Sequence, residues 1–389
     1  MIAIILFWIS LAAIFHTYLL YPVILAILAR RKSPNQVTFS RPDELPGISI
    51  LMALHNEEDV LAEKVQTILS NTIPVEKIEI IIGSDASTDK TNEIIEELAA
   101  SHKCISFKLF ESRRGKSAII NELVQLSLHD ILIITDANVM LEEDTLFHLL
   151  KHFKNNGIGL VDSHMMHKGL KDSGISFQES TYISREVKIK YFEGILWGTM
   201  MGPFGGCYAL RKELYGNVPR SFLVDDFYIN MRVINSGNKA IIEPDALVYE
   251  DVSNSLREEF RRKSRIAAGN FQNLRHFSSS MFSGIRGLSF SFLSHKVLRW
   301  IGPFFMAAMF ITSLWLSMDN LFFRYMLSLQ VFILVLPLID VLLGKIRIHI
   351  IFLRFITHFI SMNFALMVGF IKFLKGVKSN VWQPTKRNQ

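Results

Sequence analysis

The sequence predicts an α/β domain with a mostly parallel sheet, set between apolar helical segments at the two ends of the chain. Between residues 46 and 276, short β-rich runs alternate with amphipathic stretches, as in successive βαβ units. On either side lie long runs with few charges or none, the length a helix needs to cross a bilayer. Within the polar block, three apolar strand-like runs end in aspartate: IEIIIGSDASTD reaches Asp85, DILIITDAN reaches Asp136, and PRSFLVDDF reaches Asp225 and Asp226. The ligand crevice of an open α/β sheet lies outside the carboxyl ends of its strands, so such carboxylates converge. One aspartate after a strand is commonly a turn or cap residue, and it is the repetition that points to a site.

Residues 1–30 form the first expected element, an N-terminal transmembrane anchor, since the first 29 carry no Lys, Arg, Asp or Glu. A cleaved leader would have basic residues ahead of its apolar run. Here Arg30, Arg31 and Lys32 follow it, which favours an uncleaved anchor with the downstream chain cytoplasmic. Residues 31–45, rich in Pro, Ser and charge, read as a linker. Residues 46–276 form the domain. Its expected strands GISILMAL, IEIIIG, SFKLF and DILIIT are each followed by a helical stretch: DVLAEKVQTILS, TNEIIEELAA, SAIINELVQL and EDTLFHLLKHF.

Residues 277–296 mix Phe and Leu with Arg and Lys, as a helix lying in the membrane interface would, with a solvated linker as the alternative. Residues 297–374 divide into hydrophobic segments near 298–318, 321–343 and 350–373, the last two separated by Lys345 and Arg347. Three spans would put the C-terminus outside, yet the tail over 375–389 and its approach carry Lys372, Lys375, Lys378, Lys386 and Arg387. Basic residues favour the cytoplasmic side, so one segment is expected to be re-entrant or interfacial, leaving two to three membrane helices.

The net charge of +6 is concentrated beside the hydrophobic segments, which suits anionic lipid and not nucleic acid. Cys104 and Cys207 form no motif, as in a reduced compartment. The turn after the first strand, LHNEED, lacks the glycines of a dinucleotide fingerprint, and RRGKSAII lacks the upstream glycine of a phosphate-binding loop. A nucleotide site built from side chains and a metal remains.

The runs ISILMALHNEED, GSDASTD, RRGKSAIIN, TDAN, GPFGGCYALRKEL, VDDF and RRKSRIAAGNFQ occur in the order and approximate spacing of membrane-anchored family 2 glycosyltransferases, which the chain resembles over nearly its whole length. The tail MNFALMVGFIKFLKGVKSNVWQPTKR is similar to the ends of bacterial polysaccharide-synthesising members. The resemblance implies a GT-A fold and a sugar-nucleotide donor, commonly a UDP-sugar.

Carried over residue by residue, it implies that Glu57 and Asp85 lie against the ribose and base. A carboxylate, which only accepts hydrogen bonds, suits a ribose hydroxyl or the N–H edge of uracil; Ser87, Thr88 and Asp89 compete with Asp85 to cap the next helix. Arg113, Arg114 and Lys116 form a basic cluster ahead of a helix, suited to a diphosphate, with Lys116 its favoured member. Asp136 and Asn138 take the place of the family's Asp-x-Asp, the ligands of Mg²⁺ or Mn²⁺, and the neutral amide of Asn138 is the weaker donor.

In VDDF the second aspartate, Asp226, corresponds to the catalytic base, with Asp225 beside it. Phe204, Gly205 and Gly206 fall where relatives form the floor under the acceptor sugar, and Cys207 reads as packing. Arg262 and Arg265 stand where processive synthases carry Gln-x-x-Arg-Trp: Arg265 is kept and would hold the diphosphate, Arg262 replaces the glutamine, and the tryptophan is missing; their i, i+3 spacing puts both on one helical face, where lipid phosphate is an equal alternative partner.

The resemblance therefore implies an inverting glycosyltransferase of the bacterial inner membrane, multi-pass, with its domain cytoplasmic. Its donor would be a nucleotide sugar, and its acceptor a lipid-linked or growing polysaccharide in cell-envelope or exopolysaccharide synthesis. A processive synthase that also secretes its polymer is one alternative; with few spans it would require a homodimer or export partner. A non-catalytic sugar-nucleotide-binding scaffold is another.

Overall fold

The structure is a computed structural model, and it describes residues 1–169, 176–251, 255–346, 348–377 and 380–381. Arg347, Lys378, Lys386 and Arg387 lie outside the described residues.

Among the described residues, eight strands form one sheet in the order β3-β2-β1-β4-β7-β6-β8-β5. They are β1 (Ile48–Leu54), β2 (Ile78–Asp85), β3 (Ile105–Phe110), β4 (Ile131–Thr135), β5 (Val139–Leu141), β6 (Ile158–Lys168), β7 (Cys207–Arg211) and β8 (Lys239–Asp251). β3, β2, β1 and β4 are mutually parallel, and so are β6 and β8. β7 runs antiparallel to β4 and β6, and β5 runs antiparallel to β8. The first half is thus the βαβ array that the alternating pattern predicts, and the reversal enters at β7.

β1 and β4 are buried along their entire length, as strands covered on both faces must be. Alternate residues serve opposite layers. Ile48, Ile50 and Met52 pack with one cluster, and Leu51 and Ala53 with the other. Helices α3 (Leu61–Leu69), α4 (Thr91–Ser101), α5 (Lys116–Leu126) and α6 (Thr145–Leu150) coincide with the expected stretches, α4 and α5 each reaching one residue beyond. Asp89, whose Oδ1 accepts the Thr91 N–H at 3.0 Å, takes up the orphan donor at the start of α4, so Asp85 is not needed as a cap.

PRSFLVDDF is not a strand. Residues 219–224 are irregular, and Asp225 and Asp226 open helix α8 (Asp225–Asn235), which follows the long α7 (Ser176–Trp197) and β7 in the chain. Apolar content there serves packing beneath a loop, with Phe222 stacked edge-on to Tyr228 at 5.1 Å. The N-terminal apolar segment comprises α1 (Ile2–Phe15) and α2 (Tyr21–Ala29), joined by a π-helical turn over His16–Leu20. The chain continues from β8 through α9 (Leu256–His276), α10 (Leu288–Ser291), a second π-helical turn over Phe292–Val297, α11 (Leu298–Trp300), α12 (Gly302–Leu316), α13 (Leu321–Lys345) and α14 (Ile351–Leu374).

Ile2–Ala29, α13 and α14 are each long and apolar enough to cross a membrane. Leu288–Trp300 and Gly302–Leu316 would together be a fourth span, bent by 58°. α14 also packs lengthwise on α9. Phe271 meets Phe370 at 5.0 Å, Lys372 donates to Ser264 Oγ at 2.7 Å, and a Cβ on Gly369 would collide with Ala267.

Candidate active site

A cleft of about 410 Å³ opens at the carboxyl ends of β1 and β4 and runs past the start of α8 toward α7, α9 and Trp300. Glu57, Lys116, Asp136, Asn138 and Glu250 line one end; Phe204, Gly205, Gly206, Asp225 and Asp226 line its middle; Arg262 and Arg265 close it from α9.

Local backbone geometry fixes the central groups. Gly115 has φ +83°, a left-handed conformation that starts α5 and turns Lys116 into the cleft. Lys116 Nζ donates to Asp136 Oδ1 at 2.6 Å. Burial disfavours its charge, yet Asp136, Asp225 and Asp226 outweigh that and hold the ammonium above the ordinary lysine range. Asp136 sits on the turn after β4, its N–H bonded to Gly206 C=O at 2.9 Å and its side chain 37 % exposed.

Beneath this turn lies Lys64, 0 % exposed, donating to Thr135 Oγ1 at 2.9 Å and to the Val139 carbonyl at 2.5 Å. Burial lowers its pKa to about 8. Asn138 Nδ2 donates to Glu250 Oε1 at 2.9 Å, and burial raises the Glu250 carboxyl.

Asp226 occupies the first turn of α8, with Oδ1 accepting the Phe227 N–H at 2.7 Å. Burial, and then the negative charge of Asp225, push its pKa up to about 6, against Lys116 and Lys190. A Cβ on Gly205, whose φ is +83°, would stand 2.5 Å from Asp226 Oδ2, so the glycine is what admits the carboxylate here. Phe204 is held from below. Its N–H reaches Asp162 at 3.2 Å, and Lys190 Nζ lies 3.2 Å from the ring centroid while pairing with Asp162 at 3.4 Å. Burial pushes the Asp162 carboxyl up to about 7 despite Lys190.

Two expected donor residues, Asp85 and Arg114, lie off the cleft lining, and a third, Arg262, lines it while already paired. Asp85 is 0 % exposed and off the cleft wall: its carboxylate accepts N–H bonds from Arg114 at 2.6 Å and Gly115 at 3.0 Å and pairs with Arg113 Nε at 3.2 Å. It holds the loop that presents Lys116. The Arg114 guanidinium points away as well, to Glu122 Oε1 at 2.5 Å and over the Phe110 ring at 4.9 Å. Arg262 reaches the cleft, but Glu259 at 3.0 Å and Glu179 at 3.4 Å already pair with it. Arg265, one turn on, is exposed and has no carboxylate at salt-bridge distance among the described residues. Cys207 is buried, and that burial pushes its thiol up to about 11.

Several cleft residues were not anticipated. Glu250 and Asp251 close β8 exactly as the other acidic residues close their strands, so the same rule would have found them. On α7, buried Glu179, Glu186 and Lys190 line the cleft, and buried Glu193 lies off the lining; their spacing puts all four on one helical face, a charged stripe that alone marks them in the sequence. Asn380, beyond α14, donates to Ser117 Oγ at 3.0 Å and packs on Gly115 within the cleft, a contact no local pattern announces.

Residues 49–218 match the family model described as Glycosyl transferase family 2. The poly-beta-1,6-N-acetyl-D-glucosamine synthase of Staphylococcus aureus is 25% identical over 285 residues, covering 69% of this chain and 68% of that protein. The probable glycosyltransferase YdaM of Bacillus subtilis is 24% identical over 253 residues, covering 61% and 59%. Among solved structures, the mannosyltransferase PcManGT of Pyrobaculum calidifontis, in complex with GDP-Man and Mn²⁺, superposes with a TM-score of 0.72 at 20% identity, covering 95% of this chain and 98% of that one. The strand order, the acidic cleft and these matches agree: the chain carries a family 2 glycosyl transferase domain of GT-A fold and is a glycosyltransferase.

Proposed function

We propose that the protein is an inverting transferase that moves a sugar from a nucleotide sugar, in the first instance UDP-linked, to a glycan or lipid-linked acceptor at the inner face of a bacterial inner membrane. The observation that carries this reading is Asp226: a carboxylate with a raised pKa, against the Gly205 backbone and above the Phe204 floor, with Lys116 and Asp136 on its donor side. A carboxylate so placed takes the acceptor hydroxyl's proton as the diphosphate leaves the opposite face of the anomeric carbon, which inverts that centre.

Lys116 and Arg265 supply cationic charge for the leaving diphosphate, an arrangement of the kind that usually contributes most to such rates. The site fits a divalent cation, Mg²⁺ or Mn²⁺. Asp136 presents a partly exposed hard oxygen, Asn138 an amide oxygen, and Glu250 a further carboxylate beside Asn138. Such an ion would neutralise charge on the diphosphate. The resemblance to poly-N-acetylglucosamine synthases makes UDP-N-acetylglucosamine the first donor to try and a growing β-linked glycan the first acceptor.

The test is release of UDP from a panel of UDP-sugars by membranes containing the protein, with and without chelator. One sugar is expected to be turned over in a metal-dependent way. Turnover of none, or equal turnover of all, contradicts the reading.

A further inference from the structure

The floor loop over 201–206 hangs from two buried carboxylates. One is Asp162, already described under Phe204. The other is Glu193 on α7, 0 % exposed, whose Oε2 accepts the Met201 N–H at 2.9 Å. The other oxygen of Glu193 is bonded to groups from the chain's two apolar regions. Tyr21, on the N-terminal segment, donates its hydroxyl to Oε1 at 2.7 Å. His295, on the segment entering α11, places Nδ1 2.8 Å from the same oxygen.

His295 is itself 0 % exposed, and its Nε2 lies 3.0 Å from Glu186, a cleft residue also paired with Lys296 and Arg299. A neutral imidazole has one N–H, so an imidazole bonded through both nitrogens to carboxylates requires an additional proton in the cluster. The junction is built for this contact. His16–Leu20 and Phe292–Val297 are both π-helical turns, they face each other, and Thr17 Oγ1 donates to the Ser294 carbonyl at 2.7 Å while His16 Nε2 meets Ser294 Oγ at 2.9 Å.

We propose that Glu193, His295 and Tyr21 form a positioning relay that fixes the acceptor floor relative to the membrane segments. It acts through Met201 on the floor beneath the acceptor, not on the reacting atoms, and it rests on the reading of Asp226 and that floor given above. Neither the Glu193 side chain nor Tyr21 lines the donor end of the cleft. Loosening the relay therefore disturbs the acceptor and spares the nucleotide.

The experiment uses the full chain in membranes, the UDP-sugar that the wild type turns over, a β-linked N-acetylglucosamine oligosaccharide as acceptor, and UDP as competitive inhibitor. Glu193→Gln and His295→Gln are each expected to raise the KM for the oligosaccharide about tenfold, as loss of a charge-assisted hydrogen bond predicts. The UDP inhibition constant should stay within about twofold of wild type, a change too small to register a lost interaction. Tyr21→Phe, which keeps the ring and removes one hydroxyl, should raise that KM about threefold, and it decides the matter should the other variants not fold. Unchanged acceptor KM in Tyr21→Phe, or UDP inhibition lost in parallel with transfer, overturns the relay. Wild-type activity in an Asp226→Asn control would instead overturn the functional reading beneath it.

Discussion

At Asp226 burial, a neighbouring carboxylate and two lysines meet on one group, and the upward push wins. A base must be ionised to accept a proton, so with its pKa raised to about 6 the acidic limb of transfer should lie near there. Activity should fall as pH drops below that value, and a kcat/KM profile locates the limb. Gly205→Ala should cost at least about tenfold in transfer, because the added methyl meets Asp226 Oδ2 on a backbone that disfavours side chains. Product formation at saturating donor measures it. Lys116→Ala should weaken UDP inhibition about tenfold or more, and Arg114→Ala about twofold at most, since only the first side chain faces the cleft. Equal effects would contradict the placement of the two residues. The sequence made Lys116, Asp136 and Asp226 legible because each follows an apolar run or opens a helix in a recognisable order. It did not show that Asp85 braces a loop or that Arg114 turns to Glu122, because what separates a loop brace from a cleft wall is the direction of the side chain, which residue order does not encode.

Among elements, β1 to β4 and their helices could be read directly, since each βαβ unit is local and its apolar pattern repeats. The antiparallel strands β5 and β7 were hidden, because β5 has only three residues and β7, CYALR, lacks the β-branched residues that mark the equally short β4. The segment before Asp225 misled for a related reason: its apolar residues pack a loop onto α8 and α9, and hydrophobicity alone does not distinguish that from a strand. The α9–α14 contact was not legible at all, as it joins segments about a hundred residues apart through small residues. It is nonetheless tight at Gly369. Gly369→Leu should destabilise the protein by about 1–3 kcal/mol, the usual cost of overpacking, seen as a lower Tm in detergent with the donor-binding residues untouched. An unchanged Tm would mean that the helices are not packed as described.

For the whole molecule, the basic tail and the count of apolar segments conflict only if all three C-terminal segments cross. In the structure α14 lies along α9, and Asn380 returns to Ser117 inside the cleft, so the chain beyond α14 reaches the domain's side. We propose on this ground that α12 and α13 form the crossing pair, which puts the turn around Met318, 78 % exposed, on the opposite side. A cysteine introduced by Met318→Cys should react with an impermeant thiol reagent on intact cells, whereas a reporter fused after Gln389 should become accessible only on permeabilisation. The reverse pattern would contradict this arrangement. On the function proposed above, the apolar segments, the floor loop and the acidic cleft serve one event, transfer of a sugar with Asp226 receiving the proton. It is tested by comparing wild type and Asp226→Asn in the same membranes for sugar transfer and UDP inhibition. The expected result is a loss of transfer of about a hundredfold or more with UDP inhibition unchanged; transfer at the wild-type rate by Asp226→Asn would contradict it.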